Sequence, residues 1–558
     1  LSNQYYFFVI QYTIYLVLSM LSTGWTQVDI MSAWNLSVVL ILSCYVIQNC
    51  SAWSRIDPLV DSKIGLIRGL RASDGDYSMF MGIPYATVNE TYDDTAICPQ
   101  VEEFDNTIVG TLDCLHLNVY VPNTANSRNP LPVLVWIYGG GFGIGFSGRH
   151  LYGPKYLVKH EVVLVTLNYR LGPYGFMCLD NPNVPGNQGL KDQQLALQWI
   201  NNNIDAFGGD SGKITIFGES AGGASVDFHL LYGQDKLFDK AIMQSGVALS
   251  PWAVREPDVE APLKLAEHLG FPTTDVGEAL EFLTKIDPSL VIASTSEQNL
   301  WFWPCVENDF DGVEKFINDH PVNVNKVNLK NIPLLLGYTS DERLADYENL
   351  KPEDYANINV FHDMLDEFFN LSSEDLIEME AVIRQFYIGD EKISEEVKEG
   401  LTKFDSDFTF NYPTVRTINK YLSLGAKNIY YYLFSYDGER NFAKNLNNIT
   451  SAGVTHADEI SYLFDVSYLE YPSAEDLLII DRVTALWTNF AKFGNPTPAV
   501  TELLPVQWPA VSKELFYLLN IDSELNVEKR NFKGRMAFWN LFYKLNEKYQ
   551  LGYKDSDV

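Results

Sequence analysis

The residues of this chain best suited to chemistry are Gly218-Glu219-Ser220-Ala221-Gly222, its single Gly-x-Ser-x-Gly run. A serine hydroxyl becomes a nucleophile when a base takes its proton and a sharp turn thrusts it out of the backbone. The surroundings supply such a turn. Ile214-Thr215-Ile216-Phe217 reads as a strand and 223–231 as a helix, so Ser220 falls on a strand–turn–helix elbow. Attack on a carbonyl creates an oxyanion, and that charge needs donors. Tyr138-Gly139-Gly140-Gly141-Phe142 follows the apolar run Val133-Leu134-Val135-Trp136-Ile137, which puts consecutive backbone N–H groups at a strand end with no Cβ in the way. The run lacks the Gly-Lys-Ser/Thr ending of a phosphate loop.

The base must be a histidine, and hydrolases built on such an elbow run in the order Ser, acid, His. Of the eight histidines, only His362 and His456 follow a plausible acid downstream of Ser220. His362 sits in a helical pattern and reads as a solvated helix residue. His456 follows the loop Ser451-Ala452-Gly453-Val454-Thr455, beyond a strand, where an imidazole can reach back to an elbow. The acid belongs at another strand end, and Asp341 and Glu342 both qualify by spacing alone.

Strand-like runs at 131–138, 162–169, 213–217, 240–244, 332–338 and 428–436 are short, mostly uncharged and rich in Val, Ile, Leu and Tyr. Between them Leu197, Ile200, Ile204 and Phe207 recur on one helical face. This alternation predicts an α/β fold, a mostly parallel central sheet flanked by helices. The acidic segment 341–401 reads as a helical insertion. There is no internal repeat and no low-complexity linker.

Composition narrows the partners. Asp and Glu number 72 against 40 Lys and Arg, a formal charge of −32. A nucleic-acid partner needs a basic footprint and an anionic lipid surface needs a basic patch, so both are excluded as expectations. Hydrophobic residues at 46% and aromatics at 13% argue for a large buried core. A small uncharged molecule remains as the partner. No Cys-x-x-Cys or Cys/His cluster occurs, and no metal or other cofactor is expected.

Only Asp29 is charged among the first 54 residues. Met31, the apolar run Val38-Val39-Leu40-Ile41-Leu42 and Cys50-Ser51-Ala52 suggest a signal peptide over 31–52, with 1–30 an upstream extension or read-through and 53–558 the hydrolase domain. The second apolar run is too short for a bilayer, so no stable membrane anchor is expected. A secreted protein follows, with sequons at Asn89, Asn370 and Asn448 as glycosylation sites. Cys98 and Cys114 close a short loop and suit a disulfide. Nothing in the sequence pairs Cys178 with Cys305, and two buried free thiols are at least as good a reading.

Together these pieces resemble the type-B carboxylesterase and cholinesterase family of α/β-hydrolases, from about Lys63 onward. The resemblance extends to Met81-Gly82-Ile83-Pro84-Tyr85-Ala86, Asp113-Cys114-Leu115-His116-Leu117-Asn118-Val119-Tyr120, Asn168-Tyr169-Arg170-Leu171-Gly172, Gln188-Gly189-Leu190-Lys191-Asp192-Gln193 and Gln244-Ser245-Gly246. It implies Ser220 as nucleophile, Glu342 rather than Asp341 as acid, and His456 as base. It also implies oxyanion donors at Gly140, Gly141 and Ala221, and a Cys98–Cys114 disulfide. Trp252, Phe302 and Trp303 resemble residues walling an acyl pocket, and bulky walls favour short acyl groups; for Phe302 and Trp303 a place in the core is an equal reading. Glu219 and Arg170 are candidates for an ion pair near the elbow, with a surface role for Arg170 as the equal alternative.

Departures bear on substrate. The interval from Cys98 to Cys114 contains no Trp, where cholinesterases carry a choline-binding one, so acetylcholine is not expected. Glu219 stands where insect juvenile hormone esterases typically have Gln. His456-Ala457-Asp458-Glu459 resembles insect carboxylesterases, with Ala in place of the Gly of cholinesterases. Arg343 stands where the family commonly has Gly, and the stretch from Ala86 to Cys98 is short by about twenty residues against the family pattern. The expectation is a secreted serine carboxylesterase for small neutral esters, xenobiotic or odorant-type. A juvenile-hormone-type esterase and a slow-turnover ester or organophosphate scavenger are the alternatives within the fold. A nucleophile-less adhesion ectodomain is the alternative outside catalysis, and the intact Ser, acid and His speak against it.

Overall fold

A computed structural model describes residues 58–86, 96–233, 235–327 and 329–554. Eleven strands form one sheet: β1 Leu70–Arg71, β2 Tyr77–Pro84, β3 His116–Pro122, β4 Leu131–Ile137, β5 Val163–Leu167, β6 Gly209–Glu219, β7 Lys240–Gln244, β8 Leu334–Thr339, β9 Ile429–Phe434, β10 Tyr517–Ile521 and β11 Leu525–Lys529. Their lateral order is β11-β10-β9-β8-β7-β6-β4-β5-β3-β2-β1. All pairings from β5 through β4 and β6 to β10 are parallel, and those toward either edge are antiparallel. The fold is an α/β-hydrolase: a mixed sheet with a parallel centre, covered by helices.

Burial explains which strands were readable. β7, β8 and β9 are buried along their whole length, so their apolar runs are continuous. β6 starts at Gly209, earlier than the expected 213, because Gly209-Asp210-Ser211-Gly212 is polar and joins through a register irregularity against β4. The edge strand β11 is largely solvent-facing and carries no such run.

The chain order reverses beside β4: β5 lies on one side of it and β6 on the other. In open α/β sheets, the crevice at the carboxyl ends of strands flanking such a reversal is where ligands bind. The Gly139–Gly141 turn leaves the end of β4, and Ser220 leaves the end of β6. Trp136 and Phe217, near those two ends, pack ring to ring at 4.8 Å and fix the strands together.

The acidic insertion is helical and longer than expected. It runs through Leu344–Glu348, Val360–Phe368, Ser373–Ile388 and Lys398–Ser406, then a π-helical turn Asp407–Asn411, into Tyr412–Ser423. Ser372 caps the Ser373–Ile388 helix by accepting from Asp375 N–H at 3.1 Å.

Cys98 is bonded to Cys114. Cys178 is bonded to Cys305, which corrects the reading of two free thiols; they lie 127 residues apart and only the tertiary fold brings them together. Asn370 and Asn448 are exposed, whereas Asn89 lies outside the described residues. Segments 1–30 and 31–52, and most of the interval from Ala86 to Cys98, also lie outside them. Among the described residues, no helix is long and apolar enough to cross a membrane.

Candidate active site

Ser220 occupies a left-handed, strained conformation, φ 57° and ψ −124°, between β6 and the helix Ala221–Tyr232 (α1). Its backbone N–H donates to Gln244 O at 2.9 Å, tying the elbow to the end of β7. Gly222 is required here, since a Cβ on it would lie 2.0 Å from Ile137 O. A Cβ on Gly139 would likewise meet Ser220 Cβ at 2.8 Å, so these glycines let the β4 turn and the elbow touch.

Gly140 and Gly141 both have positive φ, 98° and 59°, and turn the chain away from β4. Gly140 O accepts from the N–H groups of Gly143 and Ile144, both at 3.1 Å, closing the turn. Ala221 is the first residue of α1, where an N–H has no intrahelical acceptor. Gly140 and Gly141 line the same cavity as Ser220, and Ala221 follows Ser220 directly at the start of α1.

Between the two spacing candidates for the acid, the structure chooses by contact. Glu342 Oε2 lies 2.6 Å from His456 Nδ1, and Glu342 is fully buried. Its Oε1 accepts from Thr339 N–H at 2.8 Å and from Ser245 Oγ at 2.5 Å. Asp341 instead accepts from Ser340 Oγ at 2.6 Å. The His456 loop is fixed from both sides. His456 N–H donates to Glu342 O at 3.0 Å, and Asp458 Oδ2 accepts from Thr455 N–H at 2.8 Å. Ala457 has φ 68°, which gives a physical reason for Gly at that place in related chains.

The other imidazole nitrogen faces an unexpected partner. His456 Nε2 lies 3.1 Å from Glu219 Oε1, and Glu219 is buried beside the elbow. Arg170, expected to pair with Glu219, instead makes a two-point ion pair with Asp192, Nε and Nη2 each at 2.7 Å. That is the correction: Asp192 lies on the helix Gln188–Asn203, within reach of Arg170, and captures the guanidinium. Burial pushes the Glu219 carboxyl up to about 8, with His456 pulling the other way and Glu459, Glu342 and Glu103 adding to the rise. Burial of His456 disfavours its charged form, but the carboxylates of Glu219 and Glu342 outweigh it and push the imidazole up to about 9.

Ser220, His456, Gly140, Gly141 and Glu219 line one cavity of about 470 Å³. Trp252 and Trp303 line it too. Phe302 does not; it is 6% exposed and packs in the core, which corrects its assignment to the pocket wall. Trp301 and Trp303 stack at 6.1 Å, while Phe302 between them is buried. Glu103, Arg255, Arg343, Met364 and Phe410 also border the cavity, and sequence reasoning missed them as wall residues. Phe410 comes from the π-helical turn, a distortion that often marks a functional site. Arg343 sits at φ −103°, an ordinary conformation, so the backbone after Glu342 accepts the side chain where relatives have Gly. Its Nε lies 3.2 Å from Asp405 and its Nη2 3.2 Å from Asp346. Among the described residues, no cluster of His, Cys, Asp and Glu is arranged to hold a metal ion.

An elbow serine beside backbone donors, with an imidazole anchored on a buried carboxylate, defines a serine-hydrolase type of site on an α/β-hydrolase fold. The carboxylesterase family model matches residues 87–539, and the chain belongs to that family, which makes it a carboxylic ester hydrolase. It is 29% identical to a juvenile hormone esterase of Tribolium castaneum, over 90% of this chain and 97% of that one. It is 34% identical to esterase FE4 of Myzus persicae, over 78% and 79%. Among solved structures, juvenile hormone esterase from Manduca sexta with OTFP covalently attached superimposes with a TM-score of 0.78 at 27% identity, covering 88% of this chain and all of that one.

Proposed function

We propose that Ser220, His456 and Glu342 hydrolyse small neutral carboxylic esters through an acyl-enzyme. The observation that carries this reading is the convergence, in one cavity, of a strained elbow serine and an imidazole whose Nδ1 is held by a buried carboxylate. Neutral His456 takes the Ser220 proton through Nε2 as the hydroxyl attacks the ester carbonyl. That step needs Nε2 to exchange Glu219 Oε1 for Ser220 Oγ, and such contacts commonly tighten only when substrate is bound. Glu342 fixes the tautomer and stabilises the imidazolium. The N–H groups of Gly140, Gly141 and Ala221 hold the oxyanion. The imidazolium returns its proton to the leaving alcohol, and water then releases the acid by the same route.

Secretion is the reading supported by two disulfides, which persist in oxidising compartments, and by exposed sequons at Asn370 and Asn448. The likeness to juvenile hormone esterases favours a hormone-type ester as a second reading, while Glu219 at the elbow favours a general carboxylesterase. Hydrolysis of a short aryl acetate with stoichiometric fluorophosphonate labelling tests the mechanism. Undiminished hydrolysis by Ser220→Ala would sink it. Labelling without turnover would point to a scavenger, and a panel varying acyl and alcohol length separates the two ester classes.

A further inference from the structure

Aromatic rings on two sides of the elbow, one on the first and two on the second, lead toward one charged side chain. On one side, the ring of Trp303 is the nearest neighbour a Cβ on Gly141 would meet, at 3.9 Å. On the other, Phe410 packs on the His456 imidazole at 4.6 Å, and Trp252 packs on Phe410 at 5.8 Å. Arg255 closes the space between them, three residues beyond Trp252 and with its guanidinium 5.8 Å from the Trp303 ring. The same guanidinium lies over the Phe368 ring at 4.3 Å and reaches Glu367 Oε1 at 2.9 Å through Nη2.

Behind Arg255 lies a second cavity, of about 550 Å³. Arg255, Glu367 and Phe368 line both cavities, so these side chains are the partition between them. The backbone around the partition is pinned. Arg255 N–H donates to Pro304 O at 2.9 Å, Leu551 N–H donates to Phe368 O at 3.2 Å, and Asn370 N–H donates to Tyr549 O at 2.7 Å. The guanidinium itself is held by stacking and by one ion pair, to a Glu367 side chain that is 54% exposed. Its buried Nε has no hydrogen-bond partner among the described residues. The barrier is therefore a side chain on a fixed frame, not a wall of backbone.

We propose that Arg255 is the residue that sets acyl length: it plugs the far end of the acyl site and restricts the enzyme to short acyl groups. This rests on the proposed hydrolysis at Ser220. The guanidinium lies over Phe368, near Trp303, and is paired with Glu367, so an apolar tail of more than a few carbons must displace an ion-paired cation. Removing the plug joins the two cavities into one groove, whose added lining includes Leu249, Val306 and Leu551.

The test is the ratio of kcat/KM for 4-nitrophenyl octanoate to that for 4-nitrophenyl acetate. Arg255→Ala should raise this ratio by at least about tenfold, because burying methylenes that the plug excluded adds selectivity in such steps. Truncation also unstacks two rings, so Glu367→Gln serves as a second variant; it keeps the plug, weakens its clamp, and should raise the ratio about threefold. Ratios within about twofold of wild type in both variants, with acetate hydrolysis and fluorophosphonate labelling persisting, would overturn the plug and leave the hydrolase reading standing. A wild-type protein that neither labels nor hydrolyses either ester would overturn the hydrolase reading, and the plug with it.

Discussion

Replacing Glu219 with Gln should move the acid limb of the pH–rate profile downward. The reasoning starts from one distance, 3.1 Å between Glu219 Oε1 and His456 Nε2. At an effective dielectric of about 20, a full negative charge at that distance favours the imidazolium by about 5 kcal/mol. Burial takes back part of this, and Glu342 contributes on the Nδ1 side, with the outcome that His456 rises from its ordinary 6.5 to about 9. In the proposed reaction the base works only when neutral. A raised imidazole therefore means that kcat/KM falls as pH drops below that raised value, so the acid limb of the wild type lies above the ordinary histidine range. Gln keeps the shape and removes the charge. Since the charge of Glu219 is the largest single influence that raises the imidazole, its loss should lower the limb by at least about one pH unit, or about 1.4 kcal/mol of differential stabilisation.

The assay is the kcat/KM profile for 4-nitrophenyl acetate, because that ratio reports the ionisations of the free enzyme. The position of the limb, not the height of the plateau, is the readout, since a merely structural disturbance changes the height alone. Glu103→Gln is the comparison: Glu103 borders the cavity but is not among the carboxylates that raise His456, so it should shift the limb much less. An acid limb left in place by Glu219→Gln, or moved upward, would refute the view that Glu219 carries the charge that controls His456.

Ser220→Ala should lower turnover by about a millionfold and abolish fluorophosphonate labelling while the unfolding transition stays intact. Glu342→Gln keeps the contact but favours the wrong tautomer, and kcat should fall by about ten-thousandfold. Ala457→Gly relieves a left-handed alanine and should stabilise the fold by up to about 1 kcal/mol, read as a higher urea midpoint. Replacing both Cys178 and Cys305 with Ala opens a loop of 127 residues and should cost up to about 5 kcal/mol, read in the same way.

What the sequence revealed and what it hid follow a physical division. The strands β4, β7, β8 and β9 are buried on both faces and announce themselves as apolar runs. The elbow announces itself because a left-handed serine between touching strands needs glycine on each side. These are local demands of the backbone, and local demands leave local patterns. The partner of His456 Nε2, the partner of Arg170 and the pairing of Cys178 depend on which residues distant in sequence meet in space. Arg170 was free to choose among acids until the helix Gln188–Asn203 put Asp192 beside it. Phe302 is an aromatic like its neighbours Trp301 and Trp303, and only the tertiary fold shows that it is buried while they are not. The choice between Asp341 and Glu342 lay beyond spacing because adjacent residues at a strand end differ by direction, which the turn sets.

The carboxylates around His456 carry a consequence for the proposed reaction. Glu219 and Glu459 are buried near it and Glu103 borders the same cavity; burial is the first cause of each being pushed up, to about 8, about 7 and about 7. A site that stabilises an imidazolium this strongly holds its base protonated at neutral pH more than a histidine facing one carboxylate would. That slows the first proton transfer, from Ser220, which needs the free base. The same field helps the proton-donating half of each step, because the imidazolium formed when the oxyanion forms is already the favoured state. It also opposes a second negative charge in the cavity. Above about pH 8, where Glu219 and Glu103 are ionised, the carboxylate of the acid product leaves Ser220 against their charge, whereas the neutral ester entering meets no such repulsion. Product inhibition by acetate should therefore be weak in the wild type and should strengthen in Glu219→Gln at a pH where Glu219 is ionised. Competition assays with acetate above about pH 8, where the carboxylate form prevails, measure this directly. Equal inhibition constants in the two proteins would show that the charge acts on the base alone and not on the leaving acid.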